Sequence, residues 1–176
     1  LTIFDCIFAN NSSVDQGGGW DNQFVSASNI SNCVFYGNSA TTGGGILNEI
    51  GAVLHVTNCT FNHNTASSAG GGLSADSSTL VNCIVCGNAP GPDIIRASYS
   101  IIEGTTVFPG TGNSNANPRF LGDLLPEGQD HIWRTVDDGL KVLSCSPVVD
   151  MGIATGAQVQ DINGVNRYDV PGEGIS

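Results

Sequence analysis

A repeat of about 25 residues constrains the fold of this chain more than any other feature of its sequence. Its clearest copies are the segments IFDCIFANN, ISNCVFYGN, VTNCTFNHN and LVNCIVCGN. The cysteines of these segments follow each other at intervals of 27, 26 and 24 residues: Cys6, Cys33, Cys59 and Cys83. Glycine triplets at 17–19, 43–45 and 70–72 repeat at intervals of 26 and 27 residues. Because two independent landmarks share one period, we expect stacked structural repeats.

Each column of the repeat has its own chemistry. An aspartate or asparagine directly precedes the cysteine: Asp5, Asn32, Asn58 and Asn82. Two residues after the cysteine is a large apolar side chain: Phe8, Phe35, Phe61 and Val85. Three residues farther on is an asparagine: Asn11, Asn38, Asn64 and Asn88. Since Asn and Asp tolerate the left-handed backbone conformation, the first column predicts a bend between two strands, and the glycine triplet predicts a second corner.

Three short strands and two or three corners per unit are typical of an all-β, parallel β-helix with 24–27 residues per rung, and the crossover rule predicts a right-handed coil. Rungs of such a coil stack about 4.8 Å apart, so each column becomes a ladder. We expect the ladder cysteines to be free thiols buried in the core, the phenylalanines to stack, and the asparagine amides to hydrogen-bond from rung to rung. A leucine-rich repeat has a similar period, but its leucine-dense consensus is absent.

The segments FANN, FYGN and FNHN fit the motif F-x-x-N, and GGGI and GGGL approximate G-G-A-I. Over residues 1 to about 90 the chain therefore resembles repeats of the polymorphic membrane protein type. The resemblance implies a pectin-lyase-like solenoid in a secreted or cell-surface bacterial protein, of the kind found in adhesins and autotransporter passengers.

The C-terminal part resembles the end of many secreted bacterial β-helix proteins, where D-P-x-F precedes S-P-A-I-D-x-G and D-x-x-G-x-x-R. The matching pieces are 117–120, 146–152 and 161–167. In relatives this region often leads to a surface anchor of the choice-of-anchor type; here we expect a cap. Residues 1–103 are thus predicted to form the rungs, and residues 104–176 a loop and capping segment of the same domain. At the other end, Ile3, Asp5 and Cys6 already occupy ladder columns, so we expect upstream rungs, further copies or a partner surface to cover that edge.

Composition excludes several kinds of partner. The chain has 16 acidic residues against 5 Lys and Arg, for a net charge of −11. Such a surface repels phosphate backbones, so nucleic acid is not an expected partner. No apolar run reaches the roughly 18 residues that a membrane span needs. The partners that remain are carbohydrate, protein surfaces or other copies of the chain.

The cysteines outside the regular ladder have alternatives. In the sequence, Cys86 occupies the column of Tyr36 and His63, which is expected to face outward. It is therefore a candidate disulfide partner for Cys145. Zinc binding by Cys83, Cys86 and His63 is a weaker alternative, because no second pair of ligands lies nearby in the sequence.

Catalytic and metal sites find little support in the sequence. Asp137 and Asp138 resemble one piece of the polygalacturonase pattern, but the companion motifs are missing, and a turn explains the pair as well. Asp161 and Asn163 resemble the start of a calcium loop, for which a β-turn with Arg167 pairing locally is the alternative. No catalytic residue and no cofactor is therefore predicted. Calcium is a better-supported candidate ion than zinc.

We therefore expect an extracellular structural or adhesive protein that presents a β-helical face to a partner or glycan, or assembles with itself. The alternative is a fragment of a carbohydrate-active enzyme, a polysaccharide lyase or glycoside hydrolase, whose active site lies on upstream rungs. Thr2, Asn29, His55 and Thr79 are expected to face outward in one column; they do not form the regular threonine array of an ice-binding surface.

Overall fold

The structure, a computed structural model, describes residues 1–23, 27–91, 93, 96–154 and 159–166. Its strands are two to five residues long, and each pairs in parallel with the equivalent strand of the neighbouring repeat. This confirms the predicted all-β, parallel β-helix. The secondary structure of the described residues consists of strands, bridges and turns.

Two five-stranded sheets form two sides of the coil. Sheet A contains, in spatial order, β1 (Thr2–Phe4), β4 (Ala27–Ser31), β8 (Val53–Thr57), β12 (Ser78–Val81) and β14 (Arg96–Ser98). Sheet B contains β2 (Ile7–Ala9), β5 (Val34–Tyr36), β9 (Thr60–Asn62), β13 (Ile84–Cys86) and β15 (Ile101–Ile102).

Two shorter sheets complete the turns. Sheet C contains β6 (Ser39–Thr42) and β10 (Thr65–Ala69), and single bridges extend it to Ser12 and Ala89. Sheet D contains β3 (Trp20–Asn22), β7 (Ile46–Asn48) and β11 (Leu73–Ala75). Each full rung thus passes through the sheets in the order A, B, C, D, with one more strand than the three that the sequence pattern predicted.

The predicted bend between sheets A and B is confirmed. Its residues have positive φ angles of 52° to 56°: Asp5, Asn32, Asn58 and Asn82. The glycine triplet forms the corner between sheets C and D, and its first member has a φ of 56° to 66° in each copy: Gly17, Gly43 and Gly70. Side chains that tolerate the left-handed region therefore set where each rung turns.

The predicted phenylalanine stack lies at the centre of the core. The ring centroids of Phe8 and Phe35 are 4.6 Å apart, and those of Phe35 and Phe61 are 4.8 Å apart, with interplanar angles of 2° and 4°. These distances match the spacing of hydrogen-bonded strands, so the rings repeat at the period of the backbone. Val85 continues the column in the next rung and is fully buried.

The asparagines of the F-x-x-N motif form a continuous ladder inside the corner between sheets B and C. Asn38 Nδ2 donates to Asn64 Oδ1 (2.9 Å), and Asn64 Nδ2 donates to Asn88 Oδ1 (2.9 Å). The same oxygens also accept the backbone N–H groups of Asn38 and Asn64. Each Nδ2 also donates to the carbonyl of a ladder phenylalanine one rung away, as Asn64 does to Phe35 (2.8 Å). Asn38 and Asn64 are fully buried, and all of their side-chain polar atoms are paired.

The glycine triplets lie between this ladder and the backbone of the neighbouring rung, and a Cβ on Gly45 would clash with the carbonyl oxygen of Gly72. A Cβ on the third glycine would lie 3.0 to 3.3 Å from an asparagine side chain of the ladder, as at Gly45 and Asn64. A Cβ on the second glycine would meet backbone carbonyls, such as that of Ser39 at 2.5 Å from Gly18. Side chains at these positions would push neighbouring rungs apart, which explains why the two motifs repeat together.

The cysteine ladder is a set of free thiols, as predicted. Cys33, Cys59 and Cys83 are each 1% exposed, while Cys6 in the first rung is partly buried. They also do more than fill space, because each Sγ lies within hydrogen-bonding distance (3.1–3.3 Å) of the carbonyl two residues earlier. Ser100 replaces cysteine in the last rung and donates to the equivalent carbonyl, Ser98 O, at 2.8 Å.

Residues 108–114 cover the last rung. Phe108 packs against the core, and Asn113 Nδ2 donates to Ala97 O (2.9 Å) while its Oδ1 accepts the N–H of Ser100 (3.1 Å). One side chain thereby pairs two backbone groups that a further strand would otherwise bind.

The chain beyond residue 114 differs from a simple cap, because it turns back along the side of the coil. Asp123 lies 3.7 Å from His63, the ring centroid of Trp133 lies 6.0 Å from that of Tyr36, and Asn82 exchanges two hydrogen bonds (both 2.8 Å) with the backbone of Ile153. Hydrogen bonds to the side-chain amides of the bend ladder therefore hold this segment along the side of the coil.

The asparagine ladder predicts a large difference between two Asn→Ala substitutions. Asn64→Ala leaves buried partners of its amide unpaired, so we expect the free energy of unfolding to fall by at least about 3 kcal/mol. Asn29→Ala, on the exposed face of sheet A, is the matched control and should change it by less than about 0.5 kcal/mol. Urea denaturation followed by circular dichroism measures both, and equal losses would contradict the ladder.

Candidate functional site

The outer face of sheet A is a flat, exposed surface. Its central column is in register across all the strands: Thr2, Asn29, His55, Thr79 and Arg96. Thr79 is partly buried and the others are exposed, which confirms the outward position predicted for the first four. Within this column, Arg96 is the residue with a permanent charge. A partner could therefore approach the face without stripping water from many charged groups.

Sheet B carries a different surface, because the C-terminal segment lies over part of it. Between the ends of β9 and β13 and residues 115–123 lies a groove of about 350 Å³. Glu103 and Asp123 supply carboxylates, Asn62 lies in its lining, and Arg119 belongs to the covering segment. A second cavity, of about 270 Å³, shares Cys86, Gly87 and Glu103 with it.

Cys86 faces out of the coil, as predicted, but its predicted column and its predicted exposure are wrong. The register pairs Cys86 with Asn62 and Asn62 with Tyr36, so His63 belongs to the next column. Cys86 is only 8% exposed, because residues of the covering segment share the groove with it, and its Sγ accepts a hydrogen bond from Asn62 (3.3 Å). Cys145 is exposed. Both are free thiols in the structure, and their disulfide stays a prediction.

The zinc alternative finds no support among the described residues, where no three His, Cys, Asp or Glu side chains converge as metal ligands. Cys83 directs its Sγ to the carbonyls of Val81 and Val56 inside the core, whereas Cys86 lines the groove outside it. Residues on opposite sides of a strand cannot share one tetrahedral ion.

Burial makes the core thiols poor nucleophiles. It raises the pKa of Cys83 to about 12 and that of Cys86 to about 11. Burial is also the main cause that raises the pKa of Cys59. Because the thiolate is the reactive form, burial disfavours nucleophilic attack by these side chains at neutral pH.

Asp137 and Asp138 hold the turns of the loop in which they lie. Asp137 accepts the N–H of Gln129 (2.6 Å) and the hydroxyl of Thr135 (2.8 Å). Asp138, 8% exposed, accepts the N–H groups of Arg134 (2.9 Å) and Thr135 (3.2 Å). The hydrogen bond from Thr135, followed by that from Gln129, lowers the pKa of Asp137. The turn interpretation of this pair accounts for their positions without catalysis.

Asp161 and Asn163 also lie in a turn. Asp161 Oδ1 accepts the N–H groups of Asn163 (2.9 Å) and Val165 (2.8 Å), in a geometry that needs no ion. Arg167, the expected local partner, lies outside the described residues, and calcium binding stays a prediction. The described part of the chain has no helix that is both long and apolar enough to cross a membrane.

Sequence reasoning missed a second buried asparagine pair and the groove. Asn22 Nδ2 donates to Asn48 Oδ1 (2.6 Å) in sheet D, and both side chains are at most 5% exposed. Their spacing of 26 residues matches the glycine-triplet period and could have revealed the pair. The groove has no such signal, because it depends on where an irregular segment folds back.

Two segments, 32–49 and 58–76, match the Chlamydia polymorphic membrane protein repeat. Each match begins at the bend asparagine and ends just after a strand of sheet D, so it covers the strands of sheets B, C and D in one rung. No curated protein and no solved structure matches the chain significantly. The chain thus contains repeats of this type, and the match supports a bacterial cell-surface location in general terms.

The thiol environments predict that Cys145 reacts faster than the buried cysteines. At pH 8 Cys145 should react with a chromogenic disulfide at least about a hundredfold faster than Cys59, Cys83 and Cys86, since the last three are buried with raised pKa values. Cys145→Ser should remove the fast phase that maps to Cys145, and unfolding should expose all the remaining thiols. A fast phase that persists in Cys145→Ser and maps to Cys59 or Cys83 would contradict the buried ladder.

The geometry of this loop predicts that the pKa of Asp137 depends on the hydroxyl group of Thr135. Thr135→Val should raise the pKa of Asp137 toward its ordinary value of 3.8, because the largest stabilising contact of the carboxylate is lost. In the native protein, the contribution of this contact to stability is present above the unfolded-state pKa and is lost as the pH falls through the lower folded-state pKa. A carboxyl-detected NMR titration measures the shift, with Thr106→Val, in an exposed turn, as the control. An unchanged Asp137 pKa would show that Thr135 does not hold this carboxylate.

Proposed function

We propose that this protein is a structural or adhesive component of a bacterial cell surface, which presents the outer face of sheet A to protein or glycan partners or to further copies of itself. The flat, exposed and nearly uncharged column of sheet A carries this proposal. The polymorphic-membrane-protein-type repeats support the cellular setting.

The size of the face predicts how such a surface would work. Five strands about 4.8 Å apart span roughly 19 Å, and strands of three to five residues are about 10 to 17 Å long. The resulting area of roughly 200 to 300 Å² is well below the roughly 800 Å² per partner of a standard protein interface. A single contact through sheet A would be weak, so adhesion would depend on many copies at one surface.

The carbohydrate-active enzyme finds no support among the described residues. Asp137 and Asp138, the acid pair that favoured it, are engaged in turn hydrogen bonds.

The proposal is tested with beads that carry the protein at high density. Beads with the native protein should attach to cultured animal cells, or to each other if self-assembly is the function. The variant Asn29→Glu with Thr79→Glu should reduce attachment by roughly fivefold, because a partner would have to desolvate two added carboxylates.

The matched control adds the same charge to sheet C, with Ser67→Glu and Ser68→Glu, both at exposed positions. It should attach like the native protein. Equal losses in both variants would show a general charge effect, and absence of attachment and clumping at any density would refute the adhesive function.

A further inference from the structure

Hydrogen-bond acceptors dominate the groove between sheet B and residues 115–123. Asn62 lines the groove and is 1% exposed, yet its Oδ1 has no hydrogen-bond partner among the described residues. Its Nδ2 donates to the carbonyl (3.1 Å) and the Sγ (3.3 Å) of Cys86, which fixes the orientation of the amide and leaves the oxygen as the unpaired atom. A buried acceptor without a donor is unfavourable, so this position favours a ligand that donates hydrogen bonds.

Two of the side-chain donors in the lining are directed to backbone carbonyls. Arg119 directs Nη1 to the carbonyl of Cys145 (3.1 Å), and Asn115 Nδ2 donates to the carbonyl of Gly104 (3.1 Å). The amide oxygen of Asn115 makes no hydrogen bond within the described residues and adds a further acceptor to the lining.

The groove still favours a cation, because two carboxylates line it against the one guanidinium of Arg119. Glu103 and Asp123 are exposed carboxylates in its lining, and one oxygen of Glu103 accepts the N–H of Gly87 while the other is unpaired in the described structure. Phe120 supplies an aromatic ring, to whose face a cation is attracted. The net charge of −11 adds a long-range attraction for positively charged partners.

The volume fits one extended side chain. A groove of about 350 Å³ lies at the lower end of the range for small-ligand sites and is open at the surface, as a site that receives a side chain from another protein has to be. A lysine side chain would place its ammonium group among the acceptors and its methylene stem along Phe120.

We propose that this groove binds a lysine side chain of a partner protein, as a specific contact beside the flat face of sheet A. The inference rests on the proposed adhesive function for its biological meaning, but the binding itself can be tested without any partner.

The test is an NMR titration of the isotope-labelled protein with N-acetyl-lysine amide. Its neutral analogue N-acetyl-norleucine amide is the ligand control. With the lysine compound we expect saturable shifts, with a dissociation constant of about millimolar, at the backbone amides of residues 87, 103, 115–117 and 119–123, and weaker binding as NaCl is raised. Glu103→Gln should raise the dissociation constant at least about twofold, because one exposed charge contact is lost while the amide oxygen can still accept the N–H of Gly87.

The control variant is Asp76→Asn, which removes an exposed charge elsewhere and should leave the titration unchanged. The proposal is overturned if the norleucine compound gives the same shifts, if the groove variant binds as well as the native protein, or if only calcium chloride or methyl glucoside produces saturable shifts there. Failure of this titration while native beads still adhere would remove the lysine site and leave the proposed function intact. Lysine binding without bead adhesion would support the lysine site and refute the proposed adhesive function.

Discussion

Each rung of this protein stacks on a near copy of itself about 4.8 Å away, so its side chains must pack against, or hydrogen-bond to, their own equivalents. This constraint selects residue types whose interactions can be repeated by translation. Aromatic rings can stack on their copies, and Phe8, Phe35 and Phe61 do so with almost parallel planes. A primary amide can donate to the copy on one side and accept from the copy on the other, whereas an ionised carboxylate can only accept.

The asparagine ladder connects the two sequence motifs of the repeat. Asn64 pairs with Asn38 on one side and Asn88 on the other, and it also binds the carbonyl of Phe35. The space beside the ladder is filled by the third glycine of the triplet, where a Cβ on Gly45 would lie 3.3 Å from the side chain of Asn64. The motif F-x-x-N and the glycine triplet are therefore two parts of one packing unit, although they are separated in the sequence.

The cysteine ladder shows the same principle in a weaker form. A thiol is small and apolar enough for the narrow corner, and it also reaches a carbonyl two residues earlier. Ser100 takes this position in the last rung, where its hydroxyl donates to Ser98 O and accepts the N–H of Cys83 (3.0 Å). The stronger donor thus appears where the regular stack of rungs ends.

Much of the fold could be predicted from the sequence. Successive rungs are related by a translation, so the residues of each ladder recur in the sequence at a nearly constant interval. The bend at Asn58, the stack at Phe61 and the buried thiol at Cys59 all followed from intervals of 24 to 27 residues. The groove could not be predicted, since Asn62 and Cys86 are buried by an irregular segment whose path depends on single contacts such as that between His63 and Asp123. The burial of Cys86 could not be predicted for the same reason: strand alternation gives the direction of a side chain but not what later covers it.

Paired side-chain amides hold neighbouring rungs together from inside the core. Native-state hydrogen exchange of the backbone N–H groups of Asn38 and Asn64 is the sharpest test of this pairing, because both donate to side-chain oxygens of the ladder. We expect these two N–H groups to exchange only through global unfolding, as slowly as the central amides of sheets A and B. Exchange at the rate of the exposed loop at 104–107 would show that the ladder is not formed in solution.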